Sequence, residues 1–232
     1  MKKRIFSLLI VLIGVLGTNI KAQDFFDTSD AEKFFTFSGR IGFNTSNKTF
    51  PSGHFNLWNH NSWGTGFNIG ALANLNFKEY LTLQPGIFFE SRSGDFAYLT
   101  NYLNYYGRED THYEMGHLRG YYFTIPVMGV VKFNLAEKIK WMVEFGPYLQ
   151  FSLKQTGLKN VNVLYREPQN SNYSAYIAEH NNVDFGFKMG TGLRVFNHYY
   201  IGVHYLAGVC NAWKKPAGGK NKSWEFCIGY DF

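Results

Sequence analysis

The sequence predicts an all-β protein, specifically an eight-stranded antiparallel up-and-down transmembrane β-barrel. Three observations predict it: eight segments alternate apolar and polar side chains, short and long connections alternate between them, and the chain ends on an aromatic residue. A period of two is typical of a strand with one apolar and one wet face. Of the 232 residues, 19% are aromatic, as expected where aromatic girdles mark both membrane interfaces.

The first 22 residues are predicted to be a secretory signal peptide. A basic start at 1–4 precedes an apolar run at 5–16, and Ala22 is a small residue suited to cleavage. A transmembrane anchor is the weaker alternative, because the run is too short to cross about 30 Å of hydrocarbon as a helix. We expect a short N-terminal periplasmic segment at 23–34 and a barrel domain at 35–232.

The charge balance argues against a nucleic acid partner. The chain has 23 basic and 17 acidic residues, but four of the basic ones and none of the acidic ones lie in the predicted signal peptide. The mature chain therefore has 19 basic and 17 acidic residues, a net charge of +2. Nucleic acid binding needs a basic face with many phosphate contacts.

Eight segments carry the alternating pattern, and each has one face without a charged residue. They cover 35–44, 66–77, 81–92, 121–133, 139–154, 184–195, 199–210 and 224–232. In the clearest one, apolar positions from Ile139 to Leu153 alternate with Lys140, Glu144, Lys154 and other residues. A basic side chain facing lipid costs about 2–4 kcal/mol at mid-membrane, which explains the uncharged face.

The connections alternate in length. Short turns are expected at 78–80, 134–138 and 196–198, and long loops at 45–65, 93–120, 155–183 and 211–222. Outer-membrane barrels have short periplasmic turns and long external loops. A soluble lipocalin-like barrel, with the apolar face inside, is the alternative. The charged, glycine-rich opposite face and the terminal Phe232 favour the membrane form.

The inward charges form the candidate site. We predict a lumen charge network of Arg40, Glu90, Arg92, Lys132, Glu144, Lys188, Arg194 and Glu225; Asp184 and Asp231 are also inward. Side chains mostly fill an eight-stranded bore, and an unpaired buried charge is expensive, so opposite charges should pair. Glu144 is expected to pair with Lys132 or Lys188 in a lumen lined by Tyr and Asn. A conducting pore is the alternative.

Catalysis and metal binding find little support. The sequence lacks Gly-x-Ser-x-Gly and His-Glu-x-x-His, and the inward His204 has no obvious carboxylate partner. Asp110, His112, Glu114 and His117 have metal-ligand chemistry, but a solvated loop explains them as well. We therefore expect no enzyme activity, no metal and no cofactor, with an outer-membrane lipid hydrolase as a weaker alternative.

Two further groups of residues lie in the mature chain. Cys210 and Cys227 are predicted to face inward on adjacent strands and to stay unpaired, because side-by-side cross-strand bridges are geometrically poor. The predicted external loops are rich in Tyr and Trp, including Trp58, Trp63 and Tyr98. Such residues suit a protein or carbohydrate interface, but they also suit packing among the loops and on lipopolysaccharide.

Several segments resemble the PorT-type outer-membrane β-barrel family of Bacteroidetes, which are Gram-negative bacteria. They are Leu83-Gln84-Pro85-Gly86, Phe123-Thr124-Ile125-Pro126-Val127, Gly190-Thr191-Gly192-Leu193, Tyr199-Tyr200-Ile201-Gly202-Val203 and Ile228-Gly229-Tyr230-Asp231-Phe232. The resemblance covers about residues 35–232 and rests on the order of these segments. It implies a functionally mixed family, from secretion-associated components to porin-like barrels, and a closing strand whose Tyr230 and Phe232 are read by the barrel-assembly machinery.

These observations together predict a protein of the cell outer membrane. We expect a PorT-like or porin-like barrel that acts as a structural or interaction component with large external loops. A narrow channel for small solutes is the alternative. The expected partners are outer-membrane lipid, lipopolysaccharide, the barrel-assembly machinery and a surface or periplasmic protein.

Overall fold

The computed structural model describes residues 25–49, 62–103, 109–156, 162–166, 173–177, 181–212 and 219–232. The predicted signal peptide at 1–22 lies outside these residues, and its cleavage stays a prediction. Within the described residues, no helix is both long and apolar enough to cross a membrane.

Ten strands lie in the described part of the chain. They are β1 (Phe35–Thr49), β2 (Ser62–Lys78), β3 (Leu81–Leu103), β4 (Glu109–Ala136), β5 (Ile139–Thr156), β6 (Asn162–Arg166), β7 (Tyr173–Ile177), β8 (Val183–Val195), β9 (Tyr199–Gly208) and β10 (Lys220–Asp231).

Eight of these strands close a barrel in the order β1-β10-β9-β8-β5-β4-β3-β2, and each neighbouring pair is antiparallel. The barrel closes between the first and last strands, from Ser38 opposite Asp231 to Thr49 opposite Lys220. β6 and β7 pair only with each other, in a separate two-stranded sheet. The predicted eight-stranded up-and-down barrel is confirmed.

The strand pleat separates the lumen from the outer surface. Phe43 and Phe145 are 57% and 56% exposed on the outside, whereas Asn44 and Glu225 have no exposed surface inside. Along β5, buried and exposed residues alternate from Trp141 to Phe151. The apolar face therefore points outward, which contradicts the lipocalin-like alternative.

The strands extend beyond the predicted limits on the long-loop side. The segment at 93–120, expected to be a loop, is mostly a continuation of the β3–β4 ladder, from Ser93 opposite Arg119 to Leu103 opposite Glu109. The segment at 155–183, also expected to be a loop, contains β6 and β7. The prediction was wrong here because apolar alternation marks only strands with one lipid-facing side. Backbone pairing does not require an apolar face, so the ladder continues past the alternating segments.

A bulge reverses the orientation of Lys154. Tyr121 lies opposite Lys154, but the next residue, Tyr122, lies opposite Ser152, so Leu153 is an extra residue in β5. An extra residue moves all following side chains to the other face. Lys154, expected in the lumen, is therefore exposed.

The described part of the N-terminal segment folds back over the short-turn end of the barrel. The rings of Phe25 and Phe26 lie 5.0 and 4.9 Å from the ring of Phe133. The backbone N–H of Glu79, in the β2–β3 turn, donates to the carbonyl of Ser29 at 3.1 Å. The short turns expected at 78–80, 134–138 and 196–198 all occur at this end.

Inward-facing glycines make room for large lumen side chains. A Cβ at Gly192 or Gly202 would meet the Tyr200 ring, and one at Gly190 would meet the His204 ring. The Tyr200 and His204 rings of β9 therefore lie over β8, at Gly192 and Gly190, where no other side chain occupies the space. This arrangement lets a narrow bore be filled at the density of a protein interior.

This packing predicts that Gly192→Val destabilises the barrel. The new side chain would overlap the Tyr200 ring, and overpacking of this kind costs about 1–3 kcal/mol. We expect a lower urea midpoint for unfolding in detergent micelles, read by the different gel mobilities of folded and unfolded barrels. Gly39→Val is the control, because a Cβ at Gly39 would meet open space. Equal midpoints for the two variants would contradict this packing.

Candidate functional site in the barrel lumen

The eight residues predicted for the lumen charge network lie inside the barrel. Seven are buried, and the Arg194 side chain is 11% exposed. The elements that carry them are β1, β3, β4, β5, β8 and β10. Because every second residue of a regular strand faces the same side, the alternation in the sequence was enough to predict these eight positions.

A four-residue charge cluster occupies the middle of the lumen. Arg92 Nη2 lies 2.5 Å from Glu90 Oε2 and 3.6 Å from Glu225 Oε1. Lys188 Nζ donates to Glu225 Oε2 at 2.7 Å and lies 4.8 Å from the centroid of the Phe88 ring. Two acids thus face two bases where almost no water reaches them. Such close contacts are needed to offset the cost of removing four charges from water.

A second cluster is centred on Asp231, near the short-turn end. Arg40 Nη1 donates to Asp231 Oδ1 at 2.6 Å, and Arg194 Nε lies 2.5 Å from Oδ2. The Arg40 guanidinium carbon also lies 4.0 Å from the centroid of the Tyr200 ring. The barrel closes between β1 and β10. Asp231 of β10 therefore binds Arg40 of β1 across this junction and Arg194 of β8 on the other side.

Glu144 pairs with His204, not with Lys132 or Lys188. Glu144 Oε2 accepts a hydrogen bond from His204 Nε2 at 2.8 Å, and Oε1 accepts one from Tyr200 Oη at 2.7 Å. The predicted partners were wrong because linear sequence does not give the register between strands. In the register, Glu144 and His204 both lie opposite Gly190, and the missing side chain there lets them meet.

Lys132 and Lys140 lie toward the short-turn end. Lys132 Nζ donates to Asn76 Oδ1 at 3.1 Å, and Lys140 Nζ donates to Glu79 Oε2 at 2.8 Å. Burial alone would raise the pKa of Glu79, but the hydrogen bond and charge of Lys140 outweigh it and leave that pKa below its ordinary value. The β2–β3 turn is thereby held to the start of β5.

The lumen charges balance. In the described residues, five acidic side chains face five basic ones: Glu90, Glu144, Asp184, Glu225 and Asp231 against Arg40, Arg92, Lys132, Lys188 and Arg194. The net charge is zero when His204 is neutral. Asn44, Asn68, Asn74, Tyr122, Tyr148 and Tyr200 complete the expected Tyr- and Asn-lined interior.

A small polar recess lies at the long-loop end of the lumen. Its volume is about 200 Å³, including space open to solvent, and its wall includes Tyr122, Gln150, Asp184 and Asn221. Asp184 accepts hydrogen bonds from Asn221 Nδ2 at 2.9 Å and from Tyr148 Oη at 3.2 Å.

Most histidines and aromatic residues expected in external loops are not placed by the structure. His54, His60, His180, Trp58 and Trp213 lie outside the described residues. The group at 110–117, which includes two histidines, lies in β4, where only the backbone is described. The metal chemistry considered for that group stays untested. Trp63 is exposed on β2.

The chain end closes the barrel and presents its aromatic residues outward. The Phe232 N–H donates to the Phe37 carbonyl at 2.9 Å, and the rings of Tyr230 and Phe232 lie 5.0 Å apart. The Phe232 side chain is 72% exposed. Recognition of these two residues by assembly machinery stays a prediction.

Both cysteines are free, as predicted, but they do not lie side by side. Cys227 is buried opposite Gly202, whereas Cys210 lies beyond the last residue of β9. The prediction of neighbouring inward thiols was wrong because the β9–β10 register places Gly202, eight residues before Cys210, opposite Cys227.

The central cluster predicts that Glu225→Gln is strongly destabilising. The change would leave Lys188 and Arg92 without one of their carboxylates, and removing one partner of a buried ion pair costs about 3–5 kcal/mol. Equilibrium urea unfolding in micelles measures the loss. Glu137→Gln is the control, because Glu137 is exposed in the β4–β5 turn and should tolerate the change. Similar free energies of unfolding for both variants would refute the ion-pair assignment.

Solved structures of small outer-membrane barrels are similar to this chain at low sequence identity. Ail of Yersinia pestis, in complex with the heparin analogue sucrose octasulfate, is 12% identical with a TM-score of 0.38, covering 86% of this chain and 100% of Ail. Neisserial surface protein A is 8% identical with a TM-score of 0.44, covering 84% and 97%. OprG of Pseudomonas aeruginosa is 10% identical with a TM-score of 0.43, covering 89% and 99%.

Sequence comparison places the chain in a family. No curated protein sequence matches it. The family model described as outer membrane protein beta-barrel domain matches residues 21–212, well over half of the chain. The protein therefore belongs to the outer membrane protein beta-barrel domain family.

Proposed function

We propose that this protein is a non-enzymatic, PorT-type barrel of the outer membrane that acts as a structural or interaction component. The balanced and tightly paired lumen is the observation that supports this proposal most. It favours a barrel wall that stays shut and leaves contact with other molecules to the external side. Membership of an outer-membrane family supports the location, and a cleaved signal peptide remains part of the proposal.

The β3–β4 hairpin is the proposed contact element. Among the described residues, the β2–β3 pairing reaches Asp95 and the β4–β5 pairing reaches Arg119, whereas β3 and β4 continue together to Leu103 and Glu109. At about 3.4 Å per residue, the eight residues of β3 beyond Asp95 extend the hairpin by roughly 27 Å along the strand. This ribbon is the proposed contact surface for a partner such as a surface protein or lipopolysaccharide.

The two alternatives fit the lumen less well. A channel for small solutes would need a continuous wet path past Glu90, Arg92 and Glu225, which contact one another across the bore. A lipid hydrolase would need an exposed nucleophile beside a histidine at the outer rim. His204 is instead 5% exposed and hydrogen-bonded inside the lumen.

A closed lumen predicts no conductance in planar bilayers. We expect the purified, folded mature chain to give no stable open channels, because ion pairs and rings occupy the bore. Recording under an applied voltage at high salt measures this directly, with a known porin as the positive control for insertion. Reproducible steps of nanosiemens size would overturn the closed-barrel model and favour the channel.

Shortening the hairpin is predicted to remove external binding without unfolding the barrel. Replacing residues 99–113 with Asn-Gly joins Tyr98 to Glu114, which lie opposite each other, through a two-residue turn. We expect the shortened barrel to fold, as shown by the usual difference in gel mobility between unheated and heated samples. We expect it to lose binding to purified lipopolysaccharide, or to surface proteins cross-linked on intact cells. The matched control replaces residues 167–172, between β6 and β7, with Gly-Ser repeats of equal length. Wild-type binding by the shortened chain would contradict the role of the hairpin.

A further inference from the structure

Three buried side chains in the lumen bring together a nitrogen, an oxygen and a sulfur ligand. A ring nitrogen of His204, a carboxylate oxygen of Glu225 and Sγ of Cys227 all lie within 4.8 Å of one another. The exposed fractions of the three residues are 5%, 0% and 3%. We propose that His204, Glu225 and Cys227 form a binding site for one thiophilic divalent metal ion of the Zn²⁺ type.

Strand register holds the three residues together. His204 on β9 lies directly opposite Glu225 on β10. Cys227 follows Glu225 by two residues, so it emerges on the same face of β10. Two neighbouring strands of a closed barrel therefore supply all three ligands, and the positions do not depend on a loop.

The hydrogen bonds of His204 leave one ring nitrogen available. A carboxylate can only accept, so the bond to Glu144 places the proton on Nε2, and in the neutral imidazole Nδ1 then carries a lone pair. Nδ1 is buried and has no hydrogen-bond partner among the described residues. Metal-binding histidines commonly donate their other ring N–H to a carboxylate, which fixes the ring orientation. Glu144 has this relation to His204.

Glu225 and Cys227 also keep ligand atoms available. Glu225 Oε2 accepts from Lys188, but Oε1 is buried without a hydrogen-bond partner in the described structure, and Arg92 Nη2 lies 3.6 Å away. Cys227 Sγ makes a weak contact with Asn68 Oδ1 at 3.4 Å. Metal binding would form an S–metal bond and release the thiol proton to solvent, so each ion bound releases one proton.

The ligand set indicates the type of metal. Imidazole, thiolate and carboxylate together suit Zn²⁺ and its spectroscopic substitute Co²⁺, whereas Mg²⁺ and Ca²⁺ prefer oxygen ligands alone. Three protein ligands leave the fourth tetrahedral position for a water molecule. After loss of the thiol proton, an ion adds one net positive charge to a lumen whose other charges balance.

Cobalt spectroscopy tests the proposal. The mature chain carrying Cys210→Ser, whose remaining thiol is Cys227, is refolded in detergent with CoCl₂ and freed of excess metal. We expect a thiolate-to-cobalt charge-transfer band in the near ultraviolet, visible bands of tetrahedral Co²⁺, one equivalent of bound metal, and loss of the bands when ZnCl₂ is added. MgCl₂ should leave them unchanged. A folded Cys210→Ser protein without these bands overturns the proposal.

Two variants assign the ligands. In the Cys210→Ser background, Cys227→Ser should fold, because the change is nearly isosteric, and should lose the charge-transfer band. Glu144→Gln keeps the size of the positioning residue but should weaken Co²⁺ binding about 10–100-fold. Gel mobility of the unheated samples shows whether each barrel has folded. Charge-transfer bands that persist in Cys227→Ser would mean adventitious metal and would refute the site.

Discussion

A charged side chain can remain inside a bore this narrow only where an opposite charge faces it. Eight strands leave too little room for a column of water, so the desolvation of Glu90, Arg92, Lys188 and Glu225 must be offset by contacts within the lumen. These contacts join β3, β8 and β10, which are distant in sequence. The interior ion pairs therefore act as cross-links between strands, in addition to the backbone ladder, and the rest of the barrel depends on them.

The large side chains in the lumen also need space, and inward-facing glycines provide it. Large lumen side chains such as Tyr200 and His204 extend over glycines of the next strand, which removes steric conflict and also allows residues two strands apart to meet. The hydrogen bond between Glu144 and His204 across Gly190 arises in this way. Glycine on the inner face thus does more than relieve crowding, because it determines which polar groups become partners.

The molecule has two parts: the wall formed by the eight barrel strands, and the β3–β4 hairpin at the long-loop end. The wall is apolar toward lipid and internally neutral, so it supplies anchorage and a fixed frame. The backbone pairing of β3 with β4 continues past the last described pairs of β2 and β5. Inside the wall, His204, Glu225 and Cys227 are buried and their ligand atoms lie within 4.8 Å of one another.

The sequence by itself predicted the barrel and the eight members of the lumen charge network, because lipid on one side and a packed interior on the other impose a period of two. It did not determine the outer ends of β3 and β4, where the apolar alternation in the sequence disappears but the backbone pairing continues. It misplaced Lys154, because a single-residue bulge leaves no mark in the pattern. Only the tertiary structure decided that Glu144 pairs with His204 and that His204 lies opposite Glu225, since these contacts depend on the register between strands, and a shift of one residue would have replaced both of them.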